Sequence, residues 1–105
     1  MTLAKRFYVL LNDAVVAVLD ICEVSDMFWQ TCALYREPGF EEIEEHFAEA
    51  TRCVEDGDMD GAEDIWQELS ERGVRLLPEG SQLEIEKFIL HISGDTVELR
   101  YVAPG

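Results

Sequence analysis

FEEIEEHFAEATRCVEDGDMDGAEDIWQELSE, residues 40–71, contains two helical patterns separated by one short turn. In the first pattern, apolar residues recur at spacings of three and four, which is typical of a helix with one buried face. These residues are Phe40, Ile43, Phe47, Ala50 and Val54. The second pattern has its apolar stripe at Ala62, Ile65, Trp66 and Leu69. Gly57 suits the end of the first helix and Asp58 the start of the second, so the two helices are expected to form an antiparallel hairpin.

The segments before the hairpin are typical of strands. Phe7–Leu11 and Val15–Ile21 are rich in Val, Leu and aromatic residues, and the turn-forming residues Asn12-Asp13-Ala14 separate them. Val15–Ile21 is apolar on both faces, which predicts a central strand covered on both sides. Met27–Tyr35 is the predicted third strand, and Pro38-Gly39 ends it.

The segments after the hairpin are typical of strands as well. Val74–Leu77 is a short predicted strand, and the polar residues 79–83 predict a loop. Residues 88–92 and 97–101 alternate around the turn sequence Ser93-Gly94-Asp95-Thr96, the pattern of a β-hairpin. We therefore expect one α+β domain spanning residues 1–105, with the order βββ-αα-βββ. Its antiparallel sheet of five to six strands carries the helical hairpin on one face.

Negative charge is concentrated in the central part of the chain. Fourteen of the 23 acidic residues lie between Glu37 and Glu71, where Arg52 is the only basic residue. That window carries 14 − 1 = 13 of the 15 net negative charges. The acids of this window fall on the polar faces of the two predicted helices, so their charge is expected to point outward.

Composition excludes several classes of function. A net charge of −15 disfavours direct binding of nucleic acid, which requires Lys and Arg on phosphates, and of anionic membrane surfaces. The chain has no phosphate loop, dinucleotide fingerprint, GxSxG or HExxH motif, so we expect neither an enzyme nor a bound cofactor. Its start does not resemble a secretory leader, which favours a cytoplasmic location.

The segment from Asp56 to Gly61 resembles the first half of an EF-hand calcium loop. Counting from Asp56, the twelfth position is Gln67 where the loop requires a bidentate Glu, and the eighth is Glu63 where it is normally apolar. The alternative is a Gly-containing turn whose aspartates favour the start of the following helix. We therefore predict no metal site, although weak cation binding at Asp56, Asp58 and Asp60 stays open.

The cysteines and histidines give no paired metal-ligand spacing. Three cysteines without a CxxC motif favour a reduced, intracellular protein. Cys22 and Cys32 are expected to face each other across adjacent strands as buried, inert thiols. His46 is predicted beside the apolar stripe of the first helix. His91 is predicted on the outer sheet face, where a small cluster with Glu98 and Arg100 is geometrically feasible.

Three aromatic residues bear on partner binding. Trp66 lies on an apolar helical stripe and is predicted to be core. Phe28 and Trp29 are adjacent, so in a strand they point to opposite faces. If the outer sheet face is open, one of them is an exposed aromatic anchor of the kind that is frequent at protein interfaces.

The chain resembles a group of small, uncharacterised bacterial α+β proteins. The resemblance lies in Ser25-Asp26-Met27-x-Trp29, the Phe40…Phe47 helix, Trp66, and the closing segment with its Leu90-His91-Ile92 and Leu99-Arg100-Tyr101. It implies a compact α+β domain and no particular activity. In size and acidity the chain is also similar to bacterial immunity proteins and phage-encoded inhibitors.

These observations predict a non-enzymatic acidic protein that binds a basic protein partner, such as a nuclease or another nucleic-acid-binding protein, as an immunity or inhibitor protein does. The expected contact residues are Glu41, Glu42, Glu45, Glu49, Glu63, Asp64 and Glu68, with Trp29 as an apolar anchor. A purely solvated polar face is the alternative for the acids. The alternative function is an assembly or scaffold module that forms a homodimer through the sheet. A small metal-binding or enzymatic domain is a further alternative.

Overall fold

The computed structural model describes residues 6–24 and 29–101. Three strands come first: β1 (Phe7–Leu11), β2 (Ala14–Val24) and β3 (Gln30–Arg36). Two helices follow, α1 (Glu41–Glu55) and α2 (Met59–Glu71), and then β4 (Val74–Pro78), β5 (Phe88–Ser93) and β6 (Thr96–Tyr101). The predicted α+β class and its βββ-αα-βββ order are confirmed. Met27 and Phe28, predicted to begin the third strand, lie outside the described residues.

The described strands form one antiparallel, curled sheet in the order β4-β1-β2-β3-β6-β5. The β1–β2 turn works because Asn12 and Asp13 both adopt positive φ, 50° and 70°, which these residue types tolerate better than most. The second hairpin turns at Gly94, which has a φ of 60°. The register pairs Leu19 with Leu34 and Leu90 with Leu99, so these side chains share the inner face.

The helical hairpin packs on the inner face of this sheet. Helix α1 contacts β5 and α2 contacts β4, which are the two outermost strands in the sheet order. Phe47 of α1 lies between Phe40 and Phe88, with ring centroids 6.4 Å and 6.0 Å away. The hairpin therefore closes the concave side of the curled sheet over one core, to which all eight elements contribute.

The turn between the helices follows from its sequence. The Gly57 N–H donates to the Val54 carbonyl and the Asp58 N–H to the Cys53 carbonyl, which is the Schellman arrangement. Gly57 permits it because it adopts a φ of 78°. The Asp58 carboxylate then accepts from the Gly61 N–H at 3.0 Å and caps α2. The predicted roles of Gly57 and Asp58 are confirmed.

The prediction that β2 is covered on both sides is wrong. β2 is central, but Val15 is 45% exposed and Val18 is only half-buried. Val16 is buried beside Gly39, where a Cβ atom would lie 3.1 Å from the Val16 Cγ1. Val16 belongs to the core cluster, so the exposed Val15 and the half-buried Val18 show that the other face of β2 is at least partly open to solvent.

Candidate partner-binding surface

The acidic hairpin surface is defined as the seven predicted contact carboxylates on the outward faces of the two helices. Ile43, Phe47 and Ala50 of α1, with Ala62 and Leu69 of α2, are buried and fix which face of each helix points to solvent. The seven predicted contact acids are all exposed: Glu41, Glu42, Glu45, Glu49, Glu63, Asp64 and Glu68. The hairpin thus carries the charge outward, as the periodicity predicts.

Few of these charges are neutralised within the protein. Among the described residues, Glu44 and Glu68 are the acids of the 37–71 window that lie within ion-pair distance of a basic group. Glu68 pairs with Arg72 at 3.1 Å, and its carboxylate lies 3.7 Å from the His46 Nε2. The other six acids of the acidic hairpin surface keep their charge available to solvent or to a partner.

Glu44 differs from the surrounding acids because it forms a bidentate ion pair with Arg36. The Arg36 Nε and Nη2 donate to the two Glu44 carboxylate oxygens, each at 2.8 Å. Arg36 also donates to Asp95 at 3.1 Å and to the Gly94 carbonyl at 2.8 Å. The hydrogen bond from Arg36 lowers the pKa of Glu44. This group fastens the start of α1 to β3 and to the β5–β6 turn and forms one border of the acidic hairpin surface.

The aspartate turn has a structural role in the protein. Asp58 is committed to capping α2, and Asp56 and Asp60 are exposed beside it. Over residues 6–24 and 29–101, no three His, Cys, Asp or Glu side chains come together in a way that would hold a metal ion. The hydrogen bond from the Gly61 N–H supports the helix-capping interpretation for Asp58.

Trp29 lies on the outer face of the sheet and not among the helical glutamates. Gln30 and Cys32 are buried, so Trp29 and Thr31 project to the opposite side. The Trp29 ring is 4.9 Å from the His91 ring, and the Arg100 guanidinium carbon is 5.9 Å from the Trp29 ring centroid. Trp29 is half-buried by these contacts and lies on the sheet face opposite the one that the helices cover.

His91, Glu98 and Arg100 project from the outer face of the last hairpin, as the alternation predicts. His91 lies directly opposite Glu98 in the β5–β6 register. Burial lowers the pKa of His91, while the nearby carboxylates of Glu98 and Glu55 act in the opposite direction. A neutral imidazole packed on an indole ring is consistent with a structural role for His91.

The expectation of inert thiols at Cys22 and Cys32 is wrong. The two residues do face each other across β2 and β3, but they form a disulfide with a Cα–Cα distance of 4.3 Å. Cys53 on α1 is a free thiol, and its burial together with the carboxylates around it raises its pKa. Sequence spacing gives no signal for the disulfide, because the pairing depends on the register of β2 against β3.

The sequence predicts His46 beside the apolar stripe of α1, but it predicts neither the hydrogen bonding of His46 nor a groove near the end of β3. His46 is half-buried between the helices, and its Nδ1 has no hydrogen-bond partner among the described residues. A shallow groove of about 610 Å³ lies beside Tyr35, Arg36 and Asp95 at the border of the acidic hairpin surface. The groove is open to solvent and does not enclose a cavity.

Neither of the described helices is long and apolar enough to cross a lipid bilayer. Comparison of the chain with known protein families, with characterised proteins and with solved structures found no significant match. The resemblance to small bacterial α+β proteins and the cytoplasmic location therefore stay predictions.

Proposed function

We propose that the protein is a non-enzymatic binding protein that engages a basic protein partner through the acidic hairpin surface. The observation that carries this proposal is the set of six exposed carboxylates on two packed helices that have no ion-pair partner among the described residues. A folded domain gains no stability from crowding like charges, because their mutual repulsion destabilises the compact state. A partner with a matching basic surface relieves this repulsion.

The class of partner follows from the arrangement of the charges. Carboxylates spaced along two helices offer a broad negative surface, which complements the extended Lys- and Arg-rich surfaces that contact a phosphate backbone. A nuclease or another nucleic-acid-binding protein fits this description. The protein would then act as an inhibitor or immunity protein by occupying the surface where nucleic acid binds.

The experiment that tests this proposal is affinity capture from cells that make the protein, at about 0.05 M and about 0.5 M salt, because ions screen exposed charges over this range. We expect a basic protein at low salt that is released at high salt. Adding the purified protein to that partner should then prevent it from binding nucleic acid. If no basic protein is captured at low salt, or if capture is indifferent to salt, the proposal is wrong.

One observation favours a second candidate function, an assembly module that forms a homodimer through the sheet. The register places Leu77, Tyr8, Val18 and Tyr35 in one row across the outer faces of β4, β1, β2 and β3. Tyr35 is 52% exposed at one end of this row. Sedimentation of the wild type and of Tyr35→Lys tests this alternative: a dimer that dissociates on this substitution favours assembly, and a monomer in both cases excludes it.

A further inference from the structure

The end of β2 contains a β-bulge next to the disulfide. The register pairs Asp20 with Ala33 and Glu23 with Thr31, so that two residues of β2, Ile21 and Cys22, lie opposite the single residue Cys32. Ile21 has a φ of 52°, a left-handed conformation that a β-branched residue rarely adopts. In bulges of this kind the left-handed position is normally a glycine. The bulge is therefore conformationally unfavourable at Ile21.

The bulge determines which side chains face the core. In a regular strand, Leu19 and Ile21 would share the inner face and Cys22 would point outward. The extra residue reverses this order, so that Ile21 is 64% exposed and Cys22 is buried opposite Cys32. The disulfide thus requires the bulge, and the disulfide in turn holds the bulge in place.

The strained segment begins directly after Asp20, which is anchored by two hydrogen bonds. The Ile21 N–H donates to the Asp20 carboxylate at 2.8 Å, and Arg6 donates to the same carboxylate at 3.1 Å. Strand β1 pairs with β2 only as far as Leu19. Among the described residues, residues 21–24 therefore pair with β3 alone, and they are able to move without disturbing the β1–β2 pairing.

We propose that the Cys22–Cys32 disulfide is a redox latch that holds residues 21–24 of β2 in the bulged register. When the latch opens, these residues shift by one position against β3, so that Ile21 pairs with Cys32 and turns toward the core. Cys22 then points outward. Because side chains alternate along a strand, a shift of one position moves each of these residues to the other face of the sheet.

The driving force is local. In the shifted register Ile21 adopts ordinary strand geometry and buries its side chain where a smaller cysteine was. Glu23 turns inward at the same time, which opposes the shift. Glu23 lies one residue from the end of β2, so its carboxylate stays at the rim of the sheet.

The chemistry requires a dithiol as reductant. A thiolate of the dithiol attacks the sulfur of Cys22, the more accessible of the two, and expels the Cys32 thiolate. The second thiol of the reductant then attacks the mixed disulfide and releases the Cys22 thiolate. The dithiol is oxidised to its disulfide by two electrons, and its two protons end on Cys22 and Cys32.

The test is site-specific alkylation of the reduced protein, in a Cys53→Ser background that removes the third thiol. The protein is first isolated in air and analysed by mass spectrometry without reductant, then reduced with dithiothreitol and treated with iodoacetamide for increasing times. We expect a Cys22–Cys32 disulfide before reduction. After reduction, Cys22 should react about tenfold faster than Cys32, because an outward thiol is accessible without local unfolding.

Ile21→Gly and Val24→Gly form a matched pair of variants. Glycine at position 21 tolerates the left-handed conformation, so the reduced variant should keep the bulge. The difference in alkylation rate between Cys22 and Cys32 should then largely disappear. Val24→Gly leaves Ile21 unchanged, so this variant should still alkylate Cys22 faster than Cys32. The proposal is overturned by free thiols in the protein isolated in air, by equal rates for Cys22 and Cys32 after reduction, or by a rate ratio that Ile21→Gly leaves unchanged.

Discussion

Arg36 and Glu44 are joined by two parallel hydrogen bonds, from Nε to Oε1 and from Nη2 to Oε2, each 2.8 Å long. This bidentate pair connects the last residue of β3 to the first turn of α1. Arg36 also contacts the β5–β6 turn through Gly94 and Asp95. One guanidinium therefore ties together three parts of the chain that are distant in sequence.

Replacing Arg36 with Ala should lower the free energy of unfolding by about 1 kcal/mol, because bidentate charge-assisted pairs are stronger than ordinary surface pairs but this one is partly exposed. Arg72→Ala is the matched control, since it breaks one side-chain hydrogen bond from the C-cap residue of α2 to Glu68 and should cost roughly 0.3–0.5 kcal/mol. Urea unfolding of both variants measures the difference. Equal losses of unfolding free energy in the two variants would show that the contacts of Arg36 stabilise the fold no more than an ordinary ion pair between neighbouring helical residues does.

The cap at Asp58 gives a second prediction. Asp58→Ala removes the acceptor for the Gly61 N–H and should cost about 1 kcal/mol of stability, whereas Asp58→Asn keeps an acceptor and should cost little. Asp60→Ala removes a neighbouring charge without removing the cap. In urea unfolding, Asp58→Ala should be less stable than both Asp58→Asn and Asp60→Ala. Equal stability of Asp58→Ala and Asp60→Ala would contradict the capping role.

A calcium titration of the wild type and of a further variant, Asp56→Ala, tests the alternative role of this turn. If the aspartates only cap and flank α2, millimolar-range calcium should leave the unfolding midpoint of Asp56→Ala and of the wild type equally unchanged, since calcium stabilises only a protein whose native state binds it. A calcium-dependent increase that Asp56→Ala abolishes would establish a cation site.

His91 provides a prediction on pH. Burial lowers its pKa below the ordinary value of 6.5, so the folded protein resists protonating it. Above 6.5 neither state carries the proton and the stability is fully present. As the pH falls below 6.5, the unfolded chain takes up a proton that the folded protein does not, and stability is lost down to the lowered pKa of the folded state.

Urea unfolding at about pH 7.5 and about pH 5.5 therefore should show a loss of stability that is smaller in His91→Gln. His46→Gln serves as the control, because it removes the other histidine and retains His91. A loss of equal size in the wild type and His91→Gln would show that His91 does not contribute.

The helical half of the fold could be predicted because its determinants are local. The periodicity that includes Ile43 and Phe47, the glycine at position 57 and the cap at Asp58 each act within one or two helical turns. The two β-hairpins were predictable for the same reason, since turn residues such as Asn12 and Gly94 lie next to the strands they join. The exposure of Glu41 and Glu49 then follows from the helical pattern alone.

The rest depends on contacts between distant segments. The predicted strand ended at Ile21, whereas β2 continues to Val24 through a bulge that no glycine marks. The disulfide follows from that bulge and from the register of β3. The pairing of Arg36 with Glu44 also arises only when β3 and α1 meet, so periodicity could not separate Glu44 from the exposed acids.

The central claim is that the acidic hairpin surface binds a basic partner, and two variants with equal net charge test it most directly. One variant carries Glu41→Gln, Glu42→Gln, Glu45→Gln and Glu49→Gln on α1. The other neutralises four exposed acids outside the helices, Asp13→Asn, Glu23→Gln, Glu84→Gln and Glu98→Gln. Both have a net charge of −15 + 4 = −11.

The measurement is the affinity of each variant for the captured basic partner at a fixed salt concentration of about 0.1 M, where the screening length is about 10 Å. The acidic hairpin account predicts that the α1 variant binds at least about tenfold more weakly than the wild type, while the matched variant changes by less than about threefold. Equal weakening of the two variants would show that overall charge and not the acidic hairpin surface governs binding, and that result would contradict the account.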